Sequence, residues 1–252
     1  MAGTATNGGD VVGEITAIRD RWHTKNHPMF QAMAKGEIEL RALAVYMAMH
    51  AKYVRYGLEA FGLMYARGPS DVRKMLVENM AEEEGLLHHV DHGADAPAHD
   101  HMEMIYSFCE AAGMTRQEVT EIEMTPAWWG RALYYLNVAR SEPIGVTLAM
   151  QFTQEGQMPA LNSEVIIPAF EKHYGYKRGD RAIEFFTEHE LADQEHSRRQ
   201  MELAAKYVDT PELLTRAKSV AQQMCRLRWG CTTETYNIEV RGQKELLPAG
   251  VN

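Results

Sequence analysis

The chain has 252 residues, of which 45% are hydrophobic and 24% are charged, so it is long and apolar enough to bury a substantial core. A formal net charge of −9 argues against nucleic acid as the main partner, because phosphate binding needs a basic surface. No apolar run approaches the ~20 residues that span a bilayer, and we expect no membrane partner.

The first residues carry no sign of a secretion signal, since they lack both a basic and an apolar region. We expect residues 1–11 to form a disordered tail. The three cysteines, Cys109, Cys225 and Cys231, are an odd number without metal-binding spacing. Such a set is typical of reduced thiols in the cytoplasm, and we expect a cytoplasmic protein.

Helical periodicity runs through nearly the whole chain, and signals for strands are almost absent. The only β-branched run, residues 165–167, is followed by Pro168. In chain order the pattern predicts helices over residues 39–67, 71–87, 127–140, 144–156, 181–208 and 213–236. We therefore predict a single all-α domain over residues 12–240, a bundle of about eight helices, with a loose tail over residues 241–252.

Several short motifs mark where these helices begin and end. Residues 68–70, Gly-Pro-Ser, combine a stop and a start signal, and Ser70 is the expected cap of the next helix. Residues 115–118 form a capping box, and residues 210–211 place a threonine cap before a proline at the first helical position. Residues 88–101 are rich in histidine and look like a loop inserted between two helices.

One helical segment places three metal-binding residue types on a single face. His189, Asp193 and His196 are spaced i, i+4 and i+7, directly behind the aromatic pair Phe185 and Phe186. Their apolar neighbours indicate that this face points inward, where three polar groups are costly without partners. A metal ion would satisfy all three groups, and a solvated, hydrogen-bonded helix face is the alternative.

A metal site built on this face needs carboxylates from other helices. Glu155 is the best candidate, because it follows an apolar stretch that would bury it, although a solvated glutamate at a helix end is the alternative. Residues 79–104 offer further side chains near a helix end. Spacing alone does not choose among Glu82, Glu83, Glu84, His88, His89, His92, His99 and His101.

Aromatic residues on inward faces are candidates for the wall of a substrate cavity, although such residues are usually part of the core. These candidates are Tyr46, His50, Tyr53 and Tyr134. His27, before Pro28, has either a capping or a catalytic role. Trp128 and Trp129 are expected to pack in the core, with one ring partly exposed.

The motifs together resemble those of the heme-oxygenase-like diiron oxidases and oxygenases. Their superfamily also contains pyrroloquinoline-quinone synthase (PqqC) and the TenA thiaminases. The resemblance covers the chain from about residue 27 to about residue 236 and is most specific over residues 189–196. It rests on four motifs, which are Asn79-x3-Glu83-x-Gly85, His101-x2-Met104-x3-Phe108-x4-Gly113, Glu155-Gly156 and His189-x3-Asp193-x2-His196.

The resemblance implies an oxidoreductase that holds two iron ions, with manganese as an alternative at one position, and uses O2 as co-substrate. The residues that match the six ligand positions are Glu83, His101, Glu155, His189, Asp193 and His196. Three carboxylates and three imidazoles suit iron or manganese, and their charges nearly offset two divalent cations. The implied function is oxidation of a small-molecule substrate in a biosynthetic pathway, with no catalytic residue assigned beyond the ligands.

Three other functions are compatible with the same fold. A PqqC-like oxidase would use O2 without a metal, and six ligands are more than that chemistry requires. A TenA-like thiaminase would need a cysteine in the helix that carries Glu155, and residues 144–156 contain none. A helical binding or regulatory protein would be free of metal and inert to O2.

Two expectations concern partners of the chain. Electrons beyond those in the metal ions or the substrate would need an external donor, because the chain has no flavin or nicotinamide fingerprint. Proteins of this superfamily often pair through their helices. We therefore expect a homodimer, with residues 213–236 or 39–67 at the contact.

Overall fold

The structure, a computed structural model, describes residues 8–87 and 100–243, with side chains from Val11 onward. Within these ranges the chain forms ten helices of six or more residues and no strand, so the all-α prediction is confirmed with a few more helices than expected. The helices are α1 (Gly8–Arg21), α2 (Pro28–Met33), α3 (Leu40–Arg67), α4 (Ser70–Glu83), α5 (His101–Ala111), α6 (Arg116–Glu121), α7 (Pro126–Ser141), α8 (Ile144–Glu155), α9 (Glu184–Tyr207) and α10 (Pro211–Glu239). No helix in the described ranges is long and apolar enough to cross a membrane.

Helix α8 lies at the centre of the bundle. It packs against α9, α10 and α1, and each of its residues from Gly145 to Gln154 is buried. None of these residues is charged and most are apolar, a composition that suits a helix buried on all sides. Gly145 permits the closest approach, because a Cβ atom there would lie 2.6 Å from the carbonyl carbon of Tyr207 at the end of α9. This packing directs Glu155, the last residue of α8, toward the inward face of α9.

Helices α3, α7 and α10 form the opposite wall of the bundle. The Trp128 ring is fully buried there and lies 5.3 Å from the Tyr46 ring in an edge-to-face contact. Tyr53 of α3 stacks with Tyr135 of α7 at 6.0 Å between ring centroids. Trp129 is 41% exposed, so the prediction of one buried and one partly exposed tryptophan is confirmed.

Most of the predicted helix boundaries are confirmed. The capping box of residues 115–118 forms, and the Thr210 side chain accepts a hydrogen bond from the Leu213 amide. His27 caps α2 by accepting a hydrogen bond from the Met29 amide. The expected cap Ser70 is wrong, since Pro69 occupies the cap position and Ser70 is the first helical residue.

Two further boundaries differ from the prediction. Helix α1 begins at Gly8, so residues 8–11 of the segment 1–11, which we expect to be a disordered tail, are helical. The helix predicted over residues 71–87 ends at Glu83, because the chain turns at Glu84 and Gly85. Residues 88–99, which hold most of the expected inserted loop, and residues 244–252 of the expected C-terminal tail lie outside the described ranges.

The segment between α8 and α9 is helical but irregular. Between Met158 and Tyr174, short α-helical turns alternate with π-helical turns over Asn162–Ile166 and Phe170–Tyr174. The β-branched run at residues 165–167 therefore lies in a helix. Widened turns of this kind are frequent near functional sites, and this segment lines one end of the cavity described below.

Candidate metal centre

The inward face of α9 carries the three side chains that its spacing predicted. His189 is 8% exposed and Asp193 is 4% exposed, while His196 is partly buried. The Phe185 ring stacks on the His189 ring with centroids 4.0 Å apart, which holds the imidazole in place. The face is therefore turned away from bulk solvent, as the apolar neighbours indicated.

Glu155 reaches this face from α8. One ligand atom each from Glu155, Asp193 and His196 lie within 4.8 Å of one another. Oε1 of Glu155 accepts a hydrogen bond from Nε2 of Gln151 at 2.9 Å, and Oε2 accepts one from Gln200. The buried Oδ2 of Asp193 has no hydrogen-bond partner in the described part of the chain. The three donors thus surround a point that a cation can occupy.

A second group of donors lies beside the first. Glu83, at the end of α4, contacts Nδ1 of His101, the first residue of α5. The His101 ring lies 4.4 Å from the His189 ring between centroids. Nδ1 of His189 donates a hydrogen bond to the Phe185 carbonyl at 2.6 Å, so Nε2 is the ring nitrogen that would bind a metal ion. That arrangement is typical of a histidine that binds a metal through Nε2.

The acidic residues at the end of α4 divide between the two groups. Oε2 of Glu82 lies 2.6 Å from Nε2 of His196, whereas Glu83 contacts His101 and Glu84 is exposed. Glu82, which the resemblance does not assign as a ligand, therefore also lies beside one of the six residues. The remaining histidines considered for this segment, His88, His89, His92 and His99, lie outside the described ranges.

Five of the six predicted ligands line one cavity with a volume of about 90 Å³. They are Glu83, His101, Glu155, His189 and Asp193. His196 lies behind Asp193, with its Nδ1 atom 3.6 Å from Oδ1 of Asp193. The structure therefore brings all six predicted residues into one region of the interior.

The other wall of the cavity differs in part from the prediction. His50 and Tyr53 line it as expected, and Tyr46 lines a smaller apolar cavity next to it. Tyr134 does not, because it points to an outer groove beside α1, and its neighbour Tyr135 lines the cavity instead.

Burial and neighbouring charges shift the pKa values of Glu155 and His196. Burial, together with the negative charge of Asp193, raises the pKa of Glu155 to about 7. Burial alone would lower the pKa of His196, but hydrogen bonds from the ring to Asp193 and Glu82 raise it to about 11. In the absence of a metal ion, protons compensate the carboxylates, and a bound cation would replace them.

Two charged residues at the cavity were not among the predicted ones. Arg131 of α7 and Arg228 of α10 both line it and are buried. Each lies in the apolar stripe of its helix, Arg131 between Trp128 and Tyr135. An arginine inside such an apolar stripe is the sequence signal that indicates these two residues.

Comparison with known proteins places the chain among redox enzymes. Residues 44–229 match the sequence profile of a family described as iron-containing redox enzymes. A 4-aminobenzoate synthase from Nitrosomonas europaea is 23% identical over 226 residues, which cover 86% of this chain and 87% of that protein. A 4-aminobenzoate synthase from Chlamydia muridarum is 22% identical over 215 residues, which cover 84% and 85%.

Solved structures confirm the fold that the motifs implied. A domain of unknown function with a heme oxygenase-like fold from Shewanella denitrificans superposes with a TM-score of 0.74 at 16% identity, covering 95% of this chain and 96% of that one. A TenA homologue from Pseudomonas syringae superposes with a TM-score of 0.71 at 11% identity, covering 91% and 92%. At these identities the similarity defines the architecture and not the reaction.

Proposed function

Because the chain belongs to the family of iron-containing redox enzymes, we propose that it is a non-heme diiron oxidoreductase that uses O2 to oxidise a small-molecule substrate in a biosynthetic pathway. The observation that carries the proposal is the convergence of Glu155, Asp193 and His196 within 4.8 Å beside the contact of Glu83 with His101. Helices α4, α5, α8 and α9 each contribute to it. Surface acidic clusters do not assemble buried imidazoles from separate helices in this way.

The residues present fit a pair of iron ions. The donors are oxygen and nitrogen atoms only, a set that suits iron or manganese. With Glu82 included, four carboxylates offset the charge of two divalent cations. Oδ2 of Asp193, buried and without a hydrogen-bond partner in the described ranges, is the kind of atom that a metal ion satisfies. Ferrous ions bound there would supply the electrons that activate O2.

The chain's own residues position the ligands and form the opposite wall of the cavity. Gln151 and Gln200 orient the two oxygens of Glu155, and the Phe185 carbonyl fixes the ring of His189. Tyr53 and Tyr135 form the aromatic wall opposite. A substrate in the cavity would therefore lie between a fixed set of ligands and this aromatic wall.

The names of the relatives support a biosynthetic role. Proteins called 4-aminobenzoate synthase match over most of their length. At 22–23% identity we propose only the class of reaction for this chain, an oxidation that yields a small metabolite. An assay for 4-aminobenzoate formation is the first product test.

Anaerobic loading with Fe(II), followed by metal analysis and then exposure to O2, tests the proposal. We expect about two iron ions per chain, O2 consumption and a transient visible absorption band. O2 consumption without bound iron would favour a PqqC-like oxidase that needs no metal. A protein that binds no iron and does not react with O2 would instead be a helical binding or regulatory protein.

A thiaminase activity has little support, since none of the three cysteines lines the cavity. Burial raises the pKa of the Cys109 thiol to about 12, which makes it a poor nucleophile.

We also propose a homodimer, with α10 or α3 at the contact, and an external electron donor for reactions that need more electrons than the metal ions hold. Elution as a monomer in size-exclusion chromatography would contradict the dimer.

A further inference from the structure

Two buried arginines face the same cavity as the acidic ligands. Arg131 is 2% exposed and Arg228 is 4% exposed. A guanidinium group is almost never buried this fully unless a carboxylate or another anion compensates its charge. The partners of these two side chains therefore indicate whether their charge is compensated within the chain.

Neither arginine has a carboxylate partner in the described part of the chain. Nη2 of Arg131 donates to Oε1 of Gln154 at 3.2 Å, and Nη1 lies 4.0 Å from Sγ of Cys231. Nη1 of Arg228 donates to the carbonyl of Gln154, and Nη2 lies 3.2 Å from Sδ of Met158. The Nε atoms of both arginines are buried and have no hydrogen-bond partner within the described ranges.

The positive charge of Arg131 also acts on the guanidinium group of Arg228. Burial and the positive charge of Arg131 both lower the pKa of Arg228, as is expected for two cations held close together away from water. The guanidinium carbon of Arg131 lies over two aromatic rings, 3.9 Å from the centroid of Tyr53 and 5.4 Å from the centroid of Trp128. An aromatic face is a weak substitute for an anion.

The two arginines lie close to the acidic ligands. Both arginines line the cavity of about 90 Å³ that also holds Glu83, Glu155 and Asp193. Both donate hydrogen bonds to Gln154, the residue next to Glu155 on α8. If two divalent cations occupy the acidic side, the carboxylates are committed to them, and the charge of the arginines remains uncompensated.

We propose that Arg131 and Arg228 together bind the carboxylate group of the substrate, which is therefore a small carboxylic acid. This inference rests on the proposed function, in that the opposite end of the acid then points to the metal ligands. A guanidinium presents paired N–H donors that match the two oxygens of a carboxylate. A cavity of about 90 Å³ favours a small acid, with a short chain or a single ring, over a long acyl chain.

Benzoate and benzamide are the probes for this inference, since they have nearly the same shape and differ in charge. The titration is performed by calorimetry on the protein as purified, with its iron content measured alongside. We expect benzoate to bind at least tenfold more tightly than benzamide. Equal affinity for the two compounds, or no binding of benzoate, would overturn the inference without any need for a variant.

Variants then assign the binding to the two arginines. We expect R131Q and R228Q to weaken benzoate binding at least tenfold and to leave benzamide binding unchanged. R198Q removes the same charge from an exposed position and is expected to bind benzoate as the wild type does. If either glutamine variant fails to fold, R131K and R228K retain the charge and lose the paired donors, and a weakening of at least threefold is expected for them.

The result separates this inference from the proposed function. We expect R131Q and R228Q to keep the iron content of the wild type, since neither arginine can bind a metal ion. Benzoate affinity unchanged in folded R131Q and R228Q would overturn the carboxylate site, even in a protein that holds iron and consumes O2. Lack of iron in the wild type would contradict the proposed function, while charge-selective binding of benzoate would still support the arginine site.

Discussion

Oε2 of Glu82 lies 2.6 Å from Nε2 of His196, so the last turn of α4 is joined to the inward face of α9. The next residue, Glu83, contacts His101 at the start of α5. Two consecutive glutamates thus contact histidines of two different helices. The C-terminal end of α4 therefore links the two groups of metal-binding side chains.

The contact of Glu82 with His196 predicts the effect of the E82Q variant. A carboxylate that orients a ligating histidine, or that binds the metal itself, typically contributes 10–100-fold to metal affinity. We expect E82Q to bind Fe(II) about 10–100-fold more weakly than the wild type in an anaerobic titration. E84Q, two residues along and exposed, is the control and is expected to bind as the wild type does. Equal affinities in both variants would remove Glu82 from the site.

The buried carboxylate of Asp193 predicts a loss of metal without a loss of fold. D193N keeps the shape of the side chain and removes a charge from the group formed with Glu155 and His196. We expect metal analysis to show less than half the iron of the wild type, with an unchanged helical circular dichroism spectrum. D209N, at an exposed position, is the control. Full iron content in D193N would contradict the ligand assignment.

The approach of α8 to α9 predicts a pair of glycine variants with opposite effects. G145A would place a methyl group against the Tyr207 backbone, and the repacking is expected to cost about 1–3 kcal/mol of unfolding free energy. Gly62 lies within α3, and no atom beyond its own turn of the helix would lie within 4 Å of the new methyl group in G62A, so a gain of up to about 1 kcal/mol is expected. Urea denaturation measures both changes. Similar stability of the two variants would contradict the close contact.

The cap at His27 predicts a pH dependence of stability away from the metal site. Nδ1 of His27 accepts from the Met29 amide and Nε2 donates to Oγ1 of Thr233, an arrangement that requires the neutral ring. Burial lowers its pKa from 6.5 to about 4. Between these values the unfolded chain binds a proton that the folded chain does not, so stability is complete above pH 6.5 and falls as the pH decreases toward 4.

The H27N variant isolates this contribution, because asparagine can still cap the helix and does not titrate. Relative to the wild type, we expect H27N to gain about 1–2 kcal/mol in unfolding free energy between pH 7 and pH 5. His23, whose pKa burial also lowers, is present in both proteins and cancels from the comparison. A difference between the two proteins that does not change with pH would show that His27 titrates normally in the fold.

The helices could be predicted from the sequence because their signals are local. The capping box at residues 115–118 and the cap at Thr210 depend only on residues one turn away. The spacing of His189, Asp193 and His196 fixed the face of α9 in the same way. The periodicity of single helices could not predict the contact between α8 and α9, because that contact depends on the tight packing at Gly145.

The ambiguity at the end of α4 could have been reduced further. Its buried residues Val72, Met75, Leu76 and Asn79 form a stripe that continues to positions 82 and 83 and leaves 84 outside. This stripe favours both Glu82 and Glu83, whereas the resemblance assigns Glu83 alone. The same reasoning on α7 favours Tyr135 over Tyr134, because Tyr135 follows Trp128 and Arg131 along the buried stripe.

Anomalous X-ray scattering at the iron absorption edge, from crystals of the iron-loaded protein, tests the central claim most directly. We expect two anomalous peaks in the cavity, one bounded by Glu155, Asp193 and His196 and the other by Glu83, His101 and His189. No peak in the cavity, or iron bound only at surface carboxylates, would contradict the claim that these six side chains hold a pair of metal ions.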